Sequence, residues 1–134
     1  MKEILSTPEA PRTFFNRRVF RDTAITLGLS FIGGFVLGFL RSMLGISWDA
    51  YGILIGASNL LSCLLGGFIS GLSVPKHARI SHLQAVGLLV WLFGLLNVAL
   101  GITDFAGFIF SVLVIAACLA LGGWLAGFFD KRQS

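Results

Sequence analysis

Charge is what this sequence has least of. Ten Lys and Arg and six Asp and Glu make up 12% of 134 residues, against about 25% in an ordinary soluble domain. Cysteine occurs twice, which excludes a disulfide-rich secreted scaffold and is too few for a structural zinc site. Proline occurs three times and tyrosine once, so nothing resembles a proline-rich linker. The hydrophobic fraction is 56%, with 17 glycines and 13 phenylalanines. A soluble enzyme or a nucleic-acid-binding domain of this length has no means of hiding so much apolar surface. What is present points to the bilayer.

The scarce charges are also gathered together. No Lys, Arg, Asp or Glu falls within 23–40, 50–75, 80–103 or 105–129. About 20 apolar residues cross the hydrocarbon core as a helix. Continuous rather than alternating apolar runs select helices over a barrel. The expectation is an all-α integral membrane fold. Its four transmembrane helices fall at 22–41, 50–72, 81–102 and 105–129, forming a single domain over 22–129. Residues 1–21 form a basic and aromatic N-terminal segment, and 130–134 a short tail. Arg12 to Asp22 mixes Phe14, Phe15, Val19 and Phe20 with arginines, which suits either a surface-lying helix or a plain basic flank. The apolar run after it is too long for a signal peptide and lacks a small-residue cleavage site, so it reads as a retained first span.

Nine of the ten basic residues lie in the N-terminal segment, the 76–79 turn and the C-terminal tail. All three segments share one side of a four-span protein. Only Arg41 lies opposite. The positive-inside rule then predicts an inner-membrane protein with both termini cytoplasmic, weakly drawn to anionic lipid headgroups.

A repeat is visible at an offset of 56 residues. Leu65-Gly66-Gly67-Phe68-Ile69-Ser70-Gly71 matches Leu121-Gly122-Gly123-Trp124-Leu125-Ala126-Gly127. Gly45-Ile46-Ser47-Trp48-Asp49 corresponds to Gly101-Ile102-Thr103-Asp104, with one residue inserted. Residues 22–73 and 78–129 therefore read as parallel copies of one helical hairpin.

The glycines form seams. Gly34/Gly38, Gly52/Gly56, Gly67/Gly71 and Gly123/Gly127 are small-xxx-small pairs, and Gly87, Gly94 and Gly101 share a stripe on the third helix. Such seams let backbones approach where lipid offers no hydrophobic drive. Packing inside the bundle is the first expectation, a homo-oligomer interface the second, and a water or ion path the third.

Polar candidates are few. Ser47 or Asp49, and Thr103 or Asp104, suit N-caps at the outer turns, and Arg41 is expected to pair with Asp49 or Asp104. Asn59 and Asn97, with Ser62, form a candidate cluster as interhelical glue or the lining of a polar path. His77 and His82 flank the middle loop, Val74 to Arg79, where Pro75 stops the second helix, and read as interfacial rather than as a pH sensor or metal ligand. Trp91 at mid-span either packs within the bundle or faces lipid. No ionisable group is expected at mid-depth, which weighs against proton coupling. No G-x-S-x-G, H-E-x-x-H, C-x-x-C or phosphate loop occurs, so neither a catalytic site nor a cofactor is expected.

The G-G-[FW]-x-x-G helix end, at Gly66 to Gly71 and Gly122 to Gly127, resembles that of small uncharacterised four-span bacterial membrane proteins. That likeness implies a fold and no activity. Gly33-Gly34 through Leu40-Arg41, and Asn59 followed by Gly66-Gly67-Phe68, look like the first two helices of small fluoride channels. The 81–103 segment lacks their phenylalanine-rich Thr/Ser break, and the charge bias departs from their dual topology, so this second likeness is set aside. The reading that remains is a non-enzymatic subunit that works by packing, as a homo-oligomer or with a larger membrane-protein partner. The alternative is a small channel or transporter with a path near Asn59 and Asn97.

Overall fold

A computed structural model describes residues 15–130. Four helices follow in order: α1 (Arg17–Leu44), α2 (Trp48–Ser73), α3 (Arg79–Ala99) and α4 (Phe105–Phe129), with a short 3-10 turn at Lys76–Ala78. All four are long and apolar enough to cross a membrane, and this is a multi-pass membrane protein.

Each helix end has a local cause. Asn16 caps α1, its side chain accepting from the Arg18 and Val19 amides. Ser47 caps α2 by accepting from Ala50, and Asp104 caps α4 by accepting from Gly107 at 2.8 Å. Asp49 lies in the first turn of α2, where its charge meets the helix dipole. Pro75 ends α2, because Val74 before it is forced into extended backbone. Gly45 and Gly101, 56 residues apart, end α1 and the α3 region with φ of 64° and 71°. Only glycine takes that left-handed conformation at little cost.

The first helix starts at Arg17, not at 22, so Arg17, Arg18 and Arg21 of the preface belong to it. Long arginine stems run along apolar surface while their heads reach water, and a charge-free run therefore understates the helix. The earlier part of the proposed surface helix, from Arg12, lies outside the described residues. α3 ends at Ala99, earlier than 102, because of Gly101.

Packing is closest where glycines meet. A methyl group on Gly67 would sit 2.6 Å from the Leu119 carbonyl oxygen, and one on Gly71 would sit 3.0 Å from the Gly123 Cα. A methyl on Gly122 would strike the Leu64 carbonyl, and one on Gly66 would strike Thr26. The two G-G-x-x-x-G ends thus bring α2 and α4 together backbone to backbone. Val19, Ala85, Val86, Val90 and Leu119 form the apolar cluster beside this crossing.

The core is one-sided. Buried residues of α1 stop at Thr26, those of α2 begin at Ser62, and those of α3 stop at Val90. In α4 Phe108 alone is buried before Leu119. Except for Phe108, and for Val90 at the middle of α3, all belong to the half of the helices nearer the α2–α3 turn, here termed the basic end. At the opposite, far end, contacts run within each hairpin. Ser58 faces Gly33 and Tyr51 faces Gly38, while Phe108 packs on Gly94 and stacks on Trp91 at 4.6 Å. Trp91 therefore packs within the bundle, donating its indole N–H to the Phe108 carbonyl at 2.9 Å.

Candidate functional site

The basic end holds buried charges that the sequence reading did not expect. Asp22 lies in the second turn of α1 and is fully buried. Its carboxylate is surrounded by donors from three helices. Arg21 Nε and Nη2 approach Oδ1 at 2.9 and 2.8 Å. The Ser73 hydroxyl, at the end of α2, donates to Oδ2 at 2.6 Å. His82 Nε2, from α3, lies 2.7 Å from the same oxygen. An ionised carboxylate only accepts, so this contact places the proton on Nε2. Four donors then meet the acceptor sites of one carboxylate. Only the Arg21 side chain, 55% exposed, reaches outward.

A second pair lies at the same end. Arg79, the first residue of α3, donates from Nε to the Gly71 carbonyl at 2.9 Å and from Nη2 to Asp130 at 2.7 Å. Both its side chain and that of Asp130 are largely buried. The two networks tie α1 to α2 and α3, and α3 to the ends of α2 and α4. A buried pair is held only where its remaining lone pairs and protons are also satisfied, and Asp22 meets that condition.

The Asp22 cluster does not have the order of an activated serine. Ser73 Oγ lies 3.5 Å from His82 Nε2, but that nitrogen already serves Asp22. The carboxylate stands between serine and imidazole, whereas an activated serine needs the imidazole in the middle. The arrangement is a clamp. Thr26 adds to it locally, its hydroxyl bonding the Asp22 carbonyl at 2.9 Å. Thr23 and Ser70, one and three residues from Asp22 and Ser73, each bury a hydroxyl without a hydrogen-bond partner. Among the described residues no group of His, Cys, Asp and Glu is suited to a metal ion.

The polar candidates at the far end are placed differently. Asn59 and Asn97 are both exposed on the helix surfaces, and neither side chain makes a hydrogen bond. Asn59 lies 11 residues into α2, about 16 Å below its far end. Asn97 lies two residues from the end of α3, about 3 Å deep, and its carbonyl closes the following turn by accepting from Ile102 and Thr103. The early end of α3 thus removes the shared depth that a pairing needs. Ser62 is buried but bonds within its own helix, to the Ser58 carbonyl at 2.8 Å.

Arg41 does not pair with Asp49 or Asp104. Its guanidinium lies 3.4 Å from the centre of the Trp48 ring. A cation over an indole face is held by the ring quadrupole, and the Gly45 turn brings Trp48 beneath Arg41.

The glycine seams divide into two sets. Gly67, Gly71, Gly94 and Gly123 meet atoms of other helices, and Gly87 and Gly127 meet side chains at 3.0 and 3.4 Å from an added methyl. Gly38 has only the Tyr51 hydroxyl at 3.6 Å. Gly34, Gly52, Gly56 and Gly101 have nothing within 4 Å. Cys63 and Cys118 are both free thiols.

Sequence reasoning missed Asp22, His82, Ser73 and the Arg79–Asp130 pair. A signal was present. Arg79, His82, Val86 and Val90 follow helical spacing on α3, so the two polar residues continue the apolar buried stripe. Counting charge-free runs cuts Arg79 off from this face, and His82 inside the run carries no local sign of its partner. No family model, curated protein or solved structure matches the chain.

Proposed function

We propose that this protein is a non-catalytic assembly subunit of the inner membrane, one that works by presenting helix surface to another transmembrane partner. The observation that carries this reading is the open stripe on the far half of α2. Gly52, Gly56 and Asn59 recur at helical spacing, all three are exposed, and methyl groups on either glycine would meet nothing. An amide about mid-way through the bilayer without a partner is costly. A facing helix that packs into the glycines and bonds the amide removes that cost, at about 0.6–2 kcal/mol per interhelical hydrogen bond. The buried clamp and the Arg79–Asp130 pair at the basic end, on the cytoplasmic side in this reading, hold the four helices together while the far half stays available. A second copy of the chain and a larger membrane protein both fit the stripe.

The test is native mass spectrometry of the protein extracted in mild detergent. A homo-oligomer or a stable complex with a second membrane protein is expected. Gly56→Leu and Asn59→Leu, both on open surface, should dissociate it while leaving the helical content unchanged. A monomer unaffected by either substitution overturns the proposal. So does solute flux into liposomes containing only this protein, which would establish the channel reading.

A further inference from the structure

A groove of about 870 Å³ runs between α3 and α4 at the basic end. Its existence follows from residue size. Gly87 on α3 and Ala116, Ala120 and Gly123 on α4 supply a floor without bulk, while Leu83, Leu88, Trp124 and Phe128 form the walls. Lys76 and Arg79 stand at its mouth. From Val112 to Phe128 the α4 wall is about 24 Å long, and from Ile80 to Leu88 the α3 wall is about 12 Å. One leaflet of the hydrocarbon core is about 15 Å deep. The groove therefore has the depth of an acyl chain, the lining of one, and a cationic rim where a headgroup would lie.

The rim has capacity to spare. Arg79 uses Nε for the Gly71 carbonyl and Nη2 for Asp130. Its Nη1 has no acceptor among the described residues and lies beside Gly127, where an added methyl would be 3.4 Å away. Asp130 pairs with Arg79, and Lys76 adds a second cation to the groove lining. Trp124 is exposed and packs edge-on against Phe128, with ring centres 4.8 Å apart. This is the placement favoured by an amphipathic ring at the headgroup level.

From this geometry we infer a specific site for one anionic phospholipid of the leaflet at the basic end. Its acyl chain lies along Gly87, Ala116 and Ala120, and its phosphate is held by Lys76 and Arg79 Nη1. Basic pockets between transmembrane helices bind acidic headgroups in this way. The site differs from the open α2 stripe in helix, depth and ligand, so either can fail alone.

The protein, delipidated in detergent, is titrated with phosphatidylglycerol or with phosphatidylcholine of the same chains, and bound lipid is counted by native mass spectrometry. One phosphatidylglycerol is expected to survive activation that strips phosphatidylcholine. Lys76→Gln should reduce the preference roughly fivefold, the weight of one basic group at a membrane surface. Ala120→Phe, at an exposed position, should fill the groove and abolish retention of both lipids. If that variant fails to fold, Ala116→Phe, also exposed and one turn away, makes the same test. Equal retention of the two lipids by the native protein overturns the site. Undiminished phosphatidylglycerol binding by a folded groove-filled variant also overturns it, as does a groove-filled variant that changes the oligomer mass instead of the lipid count.

Discussion

The Asp22 carboxylate and the His82 imidazole, 60 residues apart in the chain, meet at 2.7 Å in a buried site where Ser73 also donates to the same oxygen. This contact joins α1 to α3 across the two hairpins. Removing one partner of a buried hydrogen bond leaves the other group under-satisfied, at about 1–3 kcal/mol. Asp22→Ala and His82→Ala should each lower the thermal midpoint in detergent substantially. The double variant should cost much less than the sum, because partners in one network are coupled. Strictly additive losses would mean that the two residues do not act on one another.

The hydroxyls of Thr23 and Ser70 predict the opposite sign. Both are buried without a partner. An unsatisfied buried polar group costs about 1–3 kcal/mol. Thr23→Val keeps the shape and removes the hydroxyl, and Ser70→Ala removes it with little loss of volume. Each substitution should raise the thermal midpoint. A lowered midpoint in both would show that these hydroxyls have partners after all.

How far the sequence reached differs from residue to residue. The four spans were readable because absence of charge over about 20 residues is forced by the hydrocarbon core. The caps were readable because Ser47 and Asp104 stand directly before apolar runs. The α2–α4 crossing was foreshadowed by the matched Gly66 to Gly71 and Gly122 to Gly127. Two matters were not legible. Which glycines meet a partner depends on where helices converge, and Gly52 looks the same as Gly67 in a one-dimensional pattern. Asp22 and His82 lie near the starts of separate hairpins, 60 residues apart, and only tertiary packing brings them into contact. The expected Asn59–Asn97 cluster failed for a related reason: a single left-handed glycine, Gly101, moves the end of α3 and with it the depth of Asn97.

The two glycine sets give a matched experiment. Gly67→Ala and Gly122→Ala place a methyl against backbone atoms of the facing helix, which cannot swing aside as a side chain can. Overpacking of this kind costs about 1–3 kcal/mol, so both variants should unfold at lower temperature. Gly52→Ala and Gly56→Ala enter open space. They should leave the stability of the isolated chain unchanged or raise it by up to about 1 kcal/mol, the difference in helix propensity. Comparing the four thermal midpoints in one detergent checks the assignment. Equal destabilisation by both pairs would contradict the convergence of α2 and α4 at the basic end alone.

Arg41 is the one basic residue of the far end among the described residues, and its partner decides what that end responds to. The guanidinium lies 3.4 Å from the Trp48 ring centre and 5.5 Å from that of Tyr51. Its Nε is buried without a hydrogen bond, so the ring faces rather than a carboxylate hold the charge. Such contacts are worth about 0.5–2 kcal/mol, and a partly buried pair is screened little by salt. Arg41→Met and Trp48→Leu should therefore show a coupling of that size in a double-mutant cycle, nearly the same at low and high ionic strength. Asp49→Asn and Asp104→Asn should show no coupling to Arg41→Met. Asp104→Ala alone should still destabilise, by about 0.5–2 kcal/mol, because it removes the α4 cap. If Arg41 couples instead to either aspartate, and the coupling fades with salt, then an ion pair and not the indole face anchors this turn.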